Sequence, residues 1–163
     1  MVEKIKDIKP PRGLARIALR LPIWLYHIGL GGLLGTRFLL LTHKGRKSGK
    51  KRRTVLEVVR YEKSGPKFTV AVGFGPGSDW YKNIQRDPHI TVQCRRKRWE
   101  MVAVFLSPEE AGEALLEYNQ HHHFAMRELA RFMGYHIDGS LASIRALGEY
   151  IPMVIFQLAS TNS

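Results

Sequence analysis

Acidic side chains are scarce in this 163-residue chain, and cysteine is nearly absent. Fourteen Asp and Glu face 26 Lys and Arg, which gives a formal net charge of +12. Such an excess indicates an anionic partner: nucleic acid, a phosphorylated or polycarboxylate ligand, or an acidic membrane surface, with solubility alone as the other explanation. The one cysteine, Cys94, excludes an internal disulfide and favours a reducing compartment.

The chain also lacks a hydrophobic run long enough to cross a membrane. Residues 21–36 carry no charged side chain, but they number only 16 and include Pro22 and four glycines. A spanning helix needs about 20 apolar residues. The small-residue cleavage pattern of an export signal is missing as well. We therefore expect a cytoplasmic protein with one domain over residues 1–163, in which residues 1–11 form a flexible arm.

An amphipathic helix is predicted directly after that arm. Apolar residues recur at helical spacing from Leu14 to Ile28, while Arg12, Arg16 and Arg20 follow another face. A helix of this kind either packs over the core or lies on an anionic membrane surface, as a peripheral contact at the inner membrane face. The sequence leaves both alternatives open.

Signatures of built-in catalytic chemistry are missing too. The chain has no Gly-x-Ser-x-Gly nucleophile motif and no Walker loop spacing. It has no Cys pair, acidic cluster or His-Glu-x-x-His motif, and three consecutive histidines (His121, His122, His123) cannot face one site on a helix. We expect no metal, and the hard chemistry of an enzyme with this sequence must come from a bound cofactor.

Short strands dominate the chain after residue 37. Runs rich in apolar and β-branched residues predict strands at 38–43, 54–62, 67–74, 89–94, 98–106 and 151–158. Helices are predicted at 79–87, 108–119, 124–133 and 140–149, the second of them behind a Ser-Pro-Glu-Glu capping box. Few long crossovers join the strands. We expect a mainly β protein with helices, in the α+β class, whose strands close into an antiparallel barrel.

The densest charge lies between the first two predicted strands. Seven of the ten residues from Lys44 to Arg53 are Lys or Arg, and none is acidic. Two glycines bracket the centre of this segment and let the backbone approach a ligand closely. Guanidinium, ammonium, hydroxyl and backbone N–H groups together suit a phosphate or a carboxylate. A solvated surface turn is the alternative.

A second unusual stretch is the glycine-rich loop GFGPGSDWYKN at residues 73–83. Its glycines and aromatic residues stand at a strand-to-helix junction, where a flat ring can lie against bare backbone. The first N–H groups of the following helix favour an anion. The alternative is a flexible loop in which Trp80 anchors the core.

These segments resemble the deazaflavin-dependent nitroreductase family. The resemblance rests on LTHKGRKSGKKRRTVLEVV, on TVAVGFGPGSDWYKNIQRDPHITVQ, on LSPEEAGEALLEY and on the last strand IPMVIF, and it covers about residues 20–158. Members of the family are F420H2-dependent oxidoreductases with a split β-barrel fold like that of FMN-binding proteins. The resemblance therefore implies a split barrel that binds coenzyme F420.

It also implies a set of cofactor-binding residues. The phosphate and polyglutamate tail of the coenzyme would be held by Arg46, Lys47, Ser48 and Arg52. The strand that passes along the deazaflavin ring would be Arg53, Thr54, Val55, Leu56 and Glu57. The segment on the other side of the ring would be Ala71, Val72, Gly73 and Phe74. The residues that close over the phosphate–ribityl end would be Asp79, Trp80, Tyr81, Lys82 and Asn83.

The implied activity is that of an F420H2-dependent reductase. A hydride passes from the reduced deazaflavin to an electrophilic small-molecule acceptor, such as a quinone or an activated alkene. The proton that must follow has three candidate sources: His122, Tyr81 or ordered water. Two features depart from the family: many members have Pro-Leu in place of Val55-Leu56, and residues 122–128 lack the tyrosines of the nitro-drug-reducing member.

Other functions stay open on the sequence alone. The alternatives are a split barrel that binds FMN or another tetrapyrrole- or flavin-like ligand, and one that binds a lipid or fatty acid without catalysis. Nucleic acid is disfavoured because aromatic residues are not interleaved with the basic run. The oligomeric state is open too, with a homodimer as one alternative.

Overall fold

Eight strands form the sheets in the described residues of the protein. We describe residues 1–7, 28 and 31–160 of a computed structural model. The strands are β1 (Val2–Lys4), β2 (Phe38–Lys44), β3 (Lys51–Glu62), β4 (Lys67–Ala71), β5 (His89–Cys94), β6 (Lys97–Phe105), β7 (Tyr135–Ile137) and β8 (Met153–Leu158). Six of them close into a barrel in the order β2-β3-β4-β8-β6-β5, and β1 pairs with β7 in a small separate sheet. The predicted barrel is thereby confirmed.

Four α-helices accompany the strands in the described residues. They are α1 (Asp79–Arg86), α2 (Pro108–His121), α3 (His123–Phe132) and α4 (Leu141–Ala146), with short 3-10 helices at Gly31–Leu34 and Leu147–Glu149. The capping box at the start of α2 is confirmed: the Ser107 hydroxyl accepts from the Glu110 N–H at 3.2 Å, and the Glu110 carboxylate accepts from the Ser107 N–H at 2.8 Å. Both bonds satisfy N–H groups that the helix itself leaves unpaired.

The chain divides into two compact units. We call residues 11–70, 79–104 and 155–163 the barrel unit, and residues 1–10, 71–78 and 105–154 the helical unit. The barrel unit has a core of inward-facing residues from successive strands, among them Leu39, Leu41, Phe68 and Val92, which are fully buried. The helical unit buries Leu115, Met126, Ile144 and Leu147 in the same way.

Two hairpins carry the basic segments of the barrel unit. β2 pairs antiparallel with β3 from Phe38 opposite Glu57 to Lys44 opposite Lys51. β5 pairs with β6 up to Cys94 opposite Lys97, so only two residues form that turn. β3 begins three residues earlier than predicted. The charged run is therefore shared between a short turn at residues 45–50 and the exposed start of β3.

The structure corrects the expectation for the N-terminal arm. Within the described part of residues 1–11, Val2 to Lys4 form β1 and pair with Ile137 to Tyr135 of β7. Sequence analysis predicted neither strand. The amphipathic helix predicted after the arm lies outside the described residues. Among the helices of the described residues, none combines the length and the apolar character needed to span a membrane.

Candidate functional site

The turn between β2 and β3, residues 45–50, is held by its own backbone; we call it the basic turn. The Gly45 N–H donates to the Lys50 carbonyl at 2.8 Å, and the Gly49 N–H donates to the Gly45 carbonyl at 2.8 Å. Gly49 has φ +66°, a left-handed conformation that glycine adopts without strain. The Ser48 hydroxyl accepts from the Lys50 N–H at 3.3 Å. The turn is therefore a defined loop.

Arg46 joins the basic turn to helix α1. Its backbone N–H and its Nη1 both donate to Oδ1 of Asn83, at 3.1 and 2.9 Å. Its Nη2 forms an ion pair with Oδ1 of Asp79 at 3.0 Å. Three predicted cofactor-binding residues thus meet, but they bind one another. These bonds hold the basic turn against α1.

His43 completes this network, and sequence analysis missed it. Its Nδ1 lies 3.2 Å from Nδ2 of Asn83, and its side chain is only 6% exposed. Because the amide oxygen of Asn83 faces two N–H donors, its NH2 group faces His43, and Nδ1 must be the acceptor. Burial, and then the charge of Arg52, lower the pKa of His43 to about 4. The imidazole is therefore neutral at physiological pH.

A sequence signal for His43 does exist in the alternation of β2. Side chains two residues apart point to the same face of a strand. Leu39 and Leu41 point into the core, and both are fully buried. His43 stands in the next inward position. A polar residue at the inward end of an apolar strand requires a buried partner, and the partner, Asn83, lies 40 residues further along the chain.

Cations surround a polar cavity beside the basic turn. The cavity has a volume of about 270 Å³ and is lined by Lys44, Gly45, Arg46, Gly49, Arg86 and Asp87. Its one carboxylate, on Asp87, already accepts hydrogen bonds from the backbone N–H and the ring Nδ1 of His89, at 3.2 and 3.1 Å. The backbone hydrogen bond from His89 lowers the pKa of Asp87 and keeps it ionised. The balance of charge in the cavity is positive and suits an anion.

Further cations of the site face solvent. Lys47, Lys50, Lys51 and Arg52 are exposed, and their side chains have no ion-pair partner within residues 1–7, 28 and 31–160. Unpaired cations on a rigid loop are available to an anionic ligand. The anionic tail of coenzyme F420, with its phosphate and carboxylates, fits the residues that are present here. This fit rests on the cavity and on the exposed side chains around it.

The strand predicted to face the ring offers an apolar, half-open surface. Thr54, Val55 and Leu56 of β3 are half-buried, which differs from the fully buried inward positions of β2. Glu57 is exposed and accepts from Nε of Arg37 at 3.4 Å. Arg53 lies on the exposed start of the strand. Half-buried aliphatic side chains in this position can pack against a flat ligand ring.

The segment Ala71, Val72, Gly73 and Phe74 belongs to the helical unit. The N–H of Val72 donates to the Pro152 carbonyl at 2.9 Å, so the end of β4 is fixed. A Cβ placed on Gly73 would lie 3.7 Å from Cε of Met133, an ordinary contact. The Phe74 ring packs against Phe132, with centroids 6.1 Å apart. Packing within the unit therefore does not require glycine at position 73.

The two candidate proton donors have different surroundings. Tyr81 lies on α1 in the barrel unit and is 9% exposed, and burial raises the pKa of its phenol. Next to it on α1, Trp80 is half-buried and Lys82 is exposed. In the helical unit, His122 is exposed at the junction of α2 and α3, where its ring lies 4.9 Å from that of Tyr118. Burial therefore restrains Tyr81, and the ring of Tyr118 restrains His122.

Comparisons with known proteins add to this geometry. A family model described as F420H(2)-dependent quinone reductase matches residues 26–128. A solved structure described as a domain-swapped dimer is 22% identical, with a TM-score of 0.53, over 89% of this chain and 100% of that chain. The heme storage protein HutZ of Vibrio cholerae is 9% identical, with a TM-score of 0.50, over 83% and 89%. Both likenesses concern the fold.

A structure described as the F420-H2 dependent reductase FDR-A is 24% identical, with a TM-score of 0.47, over 74% of this chain and 94% of that chain. No curated protein matches the sequence.

Proposed function

The chain belongs to the F420H(2)-dependent quinone reductase family, and from this premise we propose which of its residues hold the coenzyme. Family membership confirms the resemblance seen in the sequence. The protein is an oxidoreductase, an F420H2-dependent reductase, and its cofactor is coenzyme F420. FMN, the alternative from the sequence, has no such support.

The anionic tail of the coenzyme lies at the basic turn in this proposal. Lys47, Ser48 and Arg52 contact the phosphate and carboxylates directly, while Lys44 and Arg86 contribute charge from the cavity wall. The strongest support is the cavity. Asp87, the one carboxylate among its lining residues in the described part of the chain, already accepts hydrogen bonds from His89. Charge-assisted bonds to such a tail are about twice as strong as neutral ones.

The residues of α1 receive a revised role in the proposal. Asp79 and Asn83 bind Arg46, so they act as positioning residues that keep the basic turn in place. His43 positions Asn83 in turn. The strand from Arg53 to Glu57 gives the ring an apolar surface and excludes water from it. The assignment of residues 71–74 to the other side of the ring stays a prediction from the resemblance.

When bound, reduced F420 supplies a hydride, and a quinone that takes up the hydride and one proton becomes a quinol. The protein contributes binding, orientation and a proton source. The phenol of Tyr81 is protonated at neutral pH, as an ordinary tyrosine is, and burial raises its pKa further. His122 is the other candidate, at an exposed position. Tyr81, being more buried, is the donor better shielded from exchange with bulk water.

The family reduces quinones, and we propose a quinone as the acceptor here. Quinones that dissolve in a bilayer would make a peripheral membrane contact useful. The predicted helix with Arg12, Arg16 and Arg20 is a candidate for that contact at the inner, cytoplasmic face.

A homodimer is also proposed, because the solved structure described as a domain-swapped dimer shares the fold. Light scattering in solution measures its molar mass.

Binding titrations with charge variants test the proposed coenzyme site. Replacing Lys47 and Arg52 by alanine removes two exposed cations that form no hydrogen bond with Arg46, Asp79 or Asn83. We expect each loss to weaken F420 binding by about 1–3 kcal/mol, and added salt to weaken wild-type binding as well. The control is Lys63→Ala plus Lys67→Ala, which removes the same number of positive charges from the β3–β4 hairpin. Equal affinity of both variants and wild type would refute the assignment of the basic turn.

A further inference from the structure

A second cluster of cations lies on the β5–β6 hairpin, outside the proposed coenzyme site. Residues 95–98 read Arg-Arg-Lys-Arg, and all four are exposed; we call them the arginine turn. Arg98 forms a long ion pair with Glu100, at 3.9 Å. Within residues 1–7, 28 and 31–160, the side chains of Arg95, Arg96 and Lys97 have no ion-pair partner. Three unpaired cations therefore face solvent together.

The strand register places the arginine turn away from the basic turn. Leu40 of β2 is opposite Gln93, so the residues after Cys94 lie beyond the start of β2. Lys51 is opposite Lys44, at the other end of the same strand. Arg95 is thus level with Phe38, and Lys51 is level with Lys44. Phe38 and Lys44 are six residues apart on β2, which at about 3.3 Å per residue separates the two turns by about 20 Å. The two basic turns therefore cannot bind the same small group.

The backbone of the arginine turn is strained at one residue. Arg95 has φ 56°, and among the described residues it is the only non-glycine residue with a positive φ. Glycine or asparagine is favoured at such a position in a two-residue hairpin turn. The preceding residue is fixed, since the Cys94 thiol donates to the carbonyls of Gly35 and Phe38 at 3.6 and 3.5 Å. A strained non-glycine residue is consistent with a functional role of its side chain.

An exposed aliphatic residue lies beside these cations. A Cβ on Gly32 would lie 3.9 Å from Cγ and Nε of Arg96, so the 3-10 helix Gly31–Leu34 packs along that side chain. The next residue of this helix, Leu33, is 77% exposed. Exposed cations together with an exposed aliphatic residue match the layered chemistry of a bilayer surface, with anionic headgroups above an apolar interior.

The charge of the whole barrel unit also suits an anionic partner. The unit contains 20 of the 26 Lys and Arg and 5 of the 14 Asp and Glu, a balance of +15, whereas the helical unit has the remaining 6 and 9, a balance of −3. The arginine turn is poorly suited to single-stranded nucleic acid, whose bases stack on exposed aromatic residues. The nearest aromatic residue in sequence, Trp99, is half-buried and packs on Phe68 at 5.6 Å between centroids.

We propose that the arginine turn and Leu33 dock the protein on an anionic phospholipid surface. The proposal rests on the proposed function, because it brings the reductase to the phase in which an apolar quinone dissolves. Arg95, Arg96 and Lys97 bind headgroup phosphates, and Leu33 enters the boundary of the acyl region. The basic turn, at the far end of β2, stays free for the coenzyme.

Vesicle sedimentation with matched variants tests the docking surface. The variant Arg95→Asn plus Arg96→Gln removes two charges, and asparagine tolerates the left-handed conformation. The control Arg95→Lys plus Arg96→Lys keeps both charges. With vesicles of phosphatidylglycerol and phosphatidylcholine, we expect the neutral variant to lose about fivefold in partitioning per cation, about 25-fold in total, relative to wild type and the Lys control. Pure phosphatidylcholine vesicles should bind none of the three.

The same proteins separate this inference from the proposed function. We expect the neutral variant to bind F420 in solution like wild type, while Lys50→Gln plus Lys51→Gln weakens F420 binding and keeps vesicle binding. Wild type that does not sediment, or a neutral variant that sediments like wild type, overturns the docking surface and leaves the coenzyme site untouched. A short single-stranded oligonucleotide that binds through Arg95 and Arg96 more tightly than the vesicles do overturns it as well, in favour of nucleic acid.

Discussion

Lowering the pH should destabilise the folded protein through His43, which is buried in the network behind the basic turn. In the folded protein its pKa is about 4, while an unfolded histidine titrates near its ordinary value of 6.5. Between these values the unfolded chain binds a proton that the folded chain excludes, so stability falls as pH falls. The contribution is fully present above pH 6.5 and is lost progressively down to about pH 4. Protonated His43 would also turn an N–H toward the NH2 group of Asn83, where no acceptor exists.

The size of the effect follows from the two pKa values. At about pH 4.5, the free energy of unfolding should be lower than at about pH 7.5 by about 2–3 kcal/mol from this group alone. Carboxylates titrate in the same range, so wild type must be compared with His43→Gln. Glutamine offers an acceptor oxygen to Asn83 but does not titrate. Urea denaturation of both proteins at both pH values yields the difference.

The comparison can also refute the reasoning. We expect wild type to lose about 2–3 kcal/mol more than His43→Gln on acidification. Equal losses in the two proteins would mean that His43 is not held neutral by burial.

Two further predictions concern side chains of the proposed coenzyme site. Asn83→Leu leaves the Arg46 N–H and His43 Nδ1 without their partner, which should cost about 2–5 kcal/mol of unfolding free energy in urea and weaken F420 binding; unchanged affinity would contradict the positioning role. Gly73→Val should change unfolding free energy by less than about 1 kcal/mol, because its Cβ meets Met133 only at an ordinary distance, yet it should abolish F420 binding. Retained binding would show that the ring lies elsewhere.

Local patterns were enough to predict the barrel strands and the helices of the described residues. Alternating apolar residues gave β5 at its observed bounds, His89–Cys94, and the capping box marked the start of α2. Such features depend on residues close in sequence, so their signals are local. The register of the β2–β3 hairpin was less predictable, and it moved Lys51 from the expected turn onto a strand.

Long-range pairings were the features that the sequence concealed. β1 and β7 have three residues each, and their pairing joins Val2 to Ile137 across almost the whole chain. The contact between His43 and Asn83 spans 40 residues in the same way. Neither has a periodic pattern of its own, because each partner acquires its role only through tertiary contact. The bonds from Arg46 to Asn83 and Asp79 are of the same kind, since they span 37 and 33 residues.

The central claim is that the basic turn makes this barrel a site for coenzyme F420. Its most direct measurement is a fluorescence titration of the protein with oxidised F420 and, separately, with FMN, at low and high salt. The tail of F420 carries several negative charges and FMN only one phosphate. We therefore expect F420 to bind more tightly, with an affinity that falls steeply as salt is added. Tighter binding of FMN, or F420 binding that ignores salt, would contradict the account.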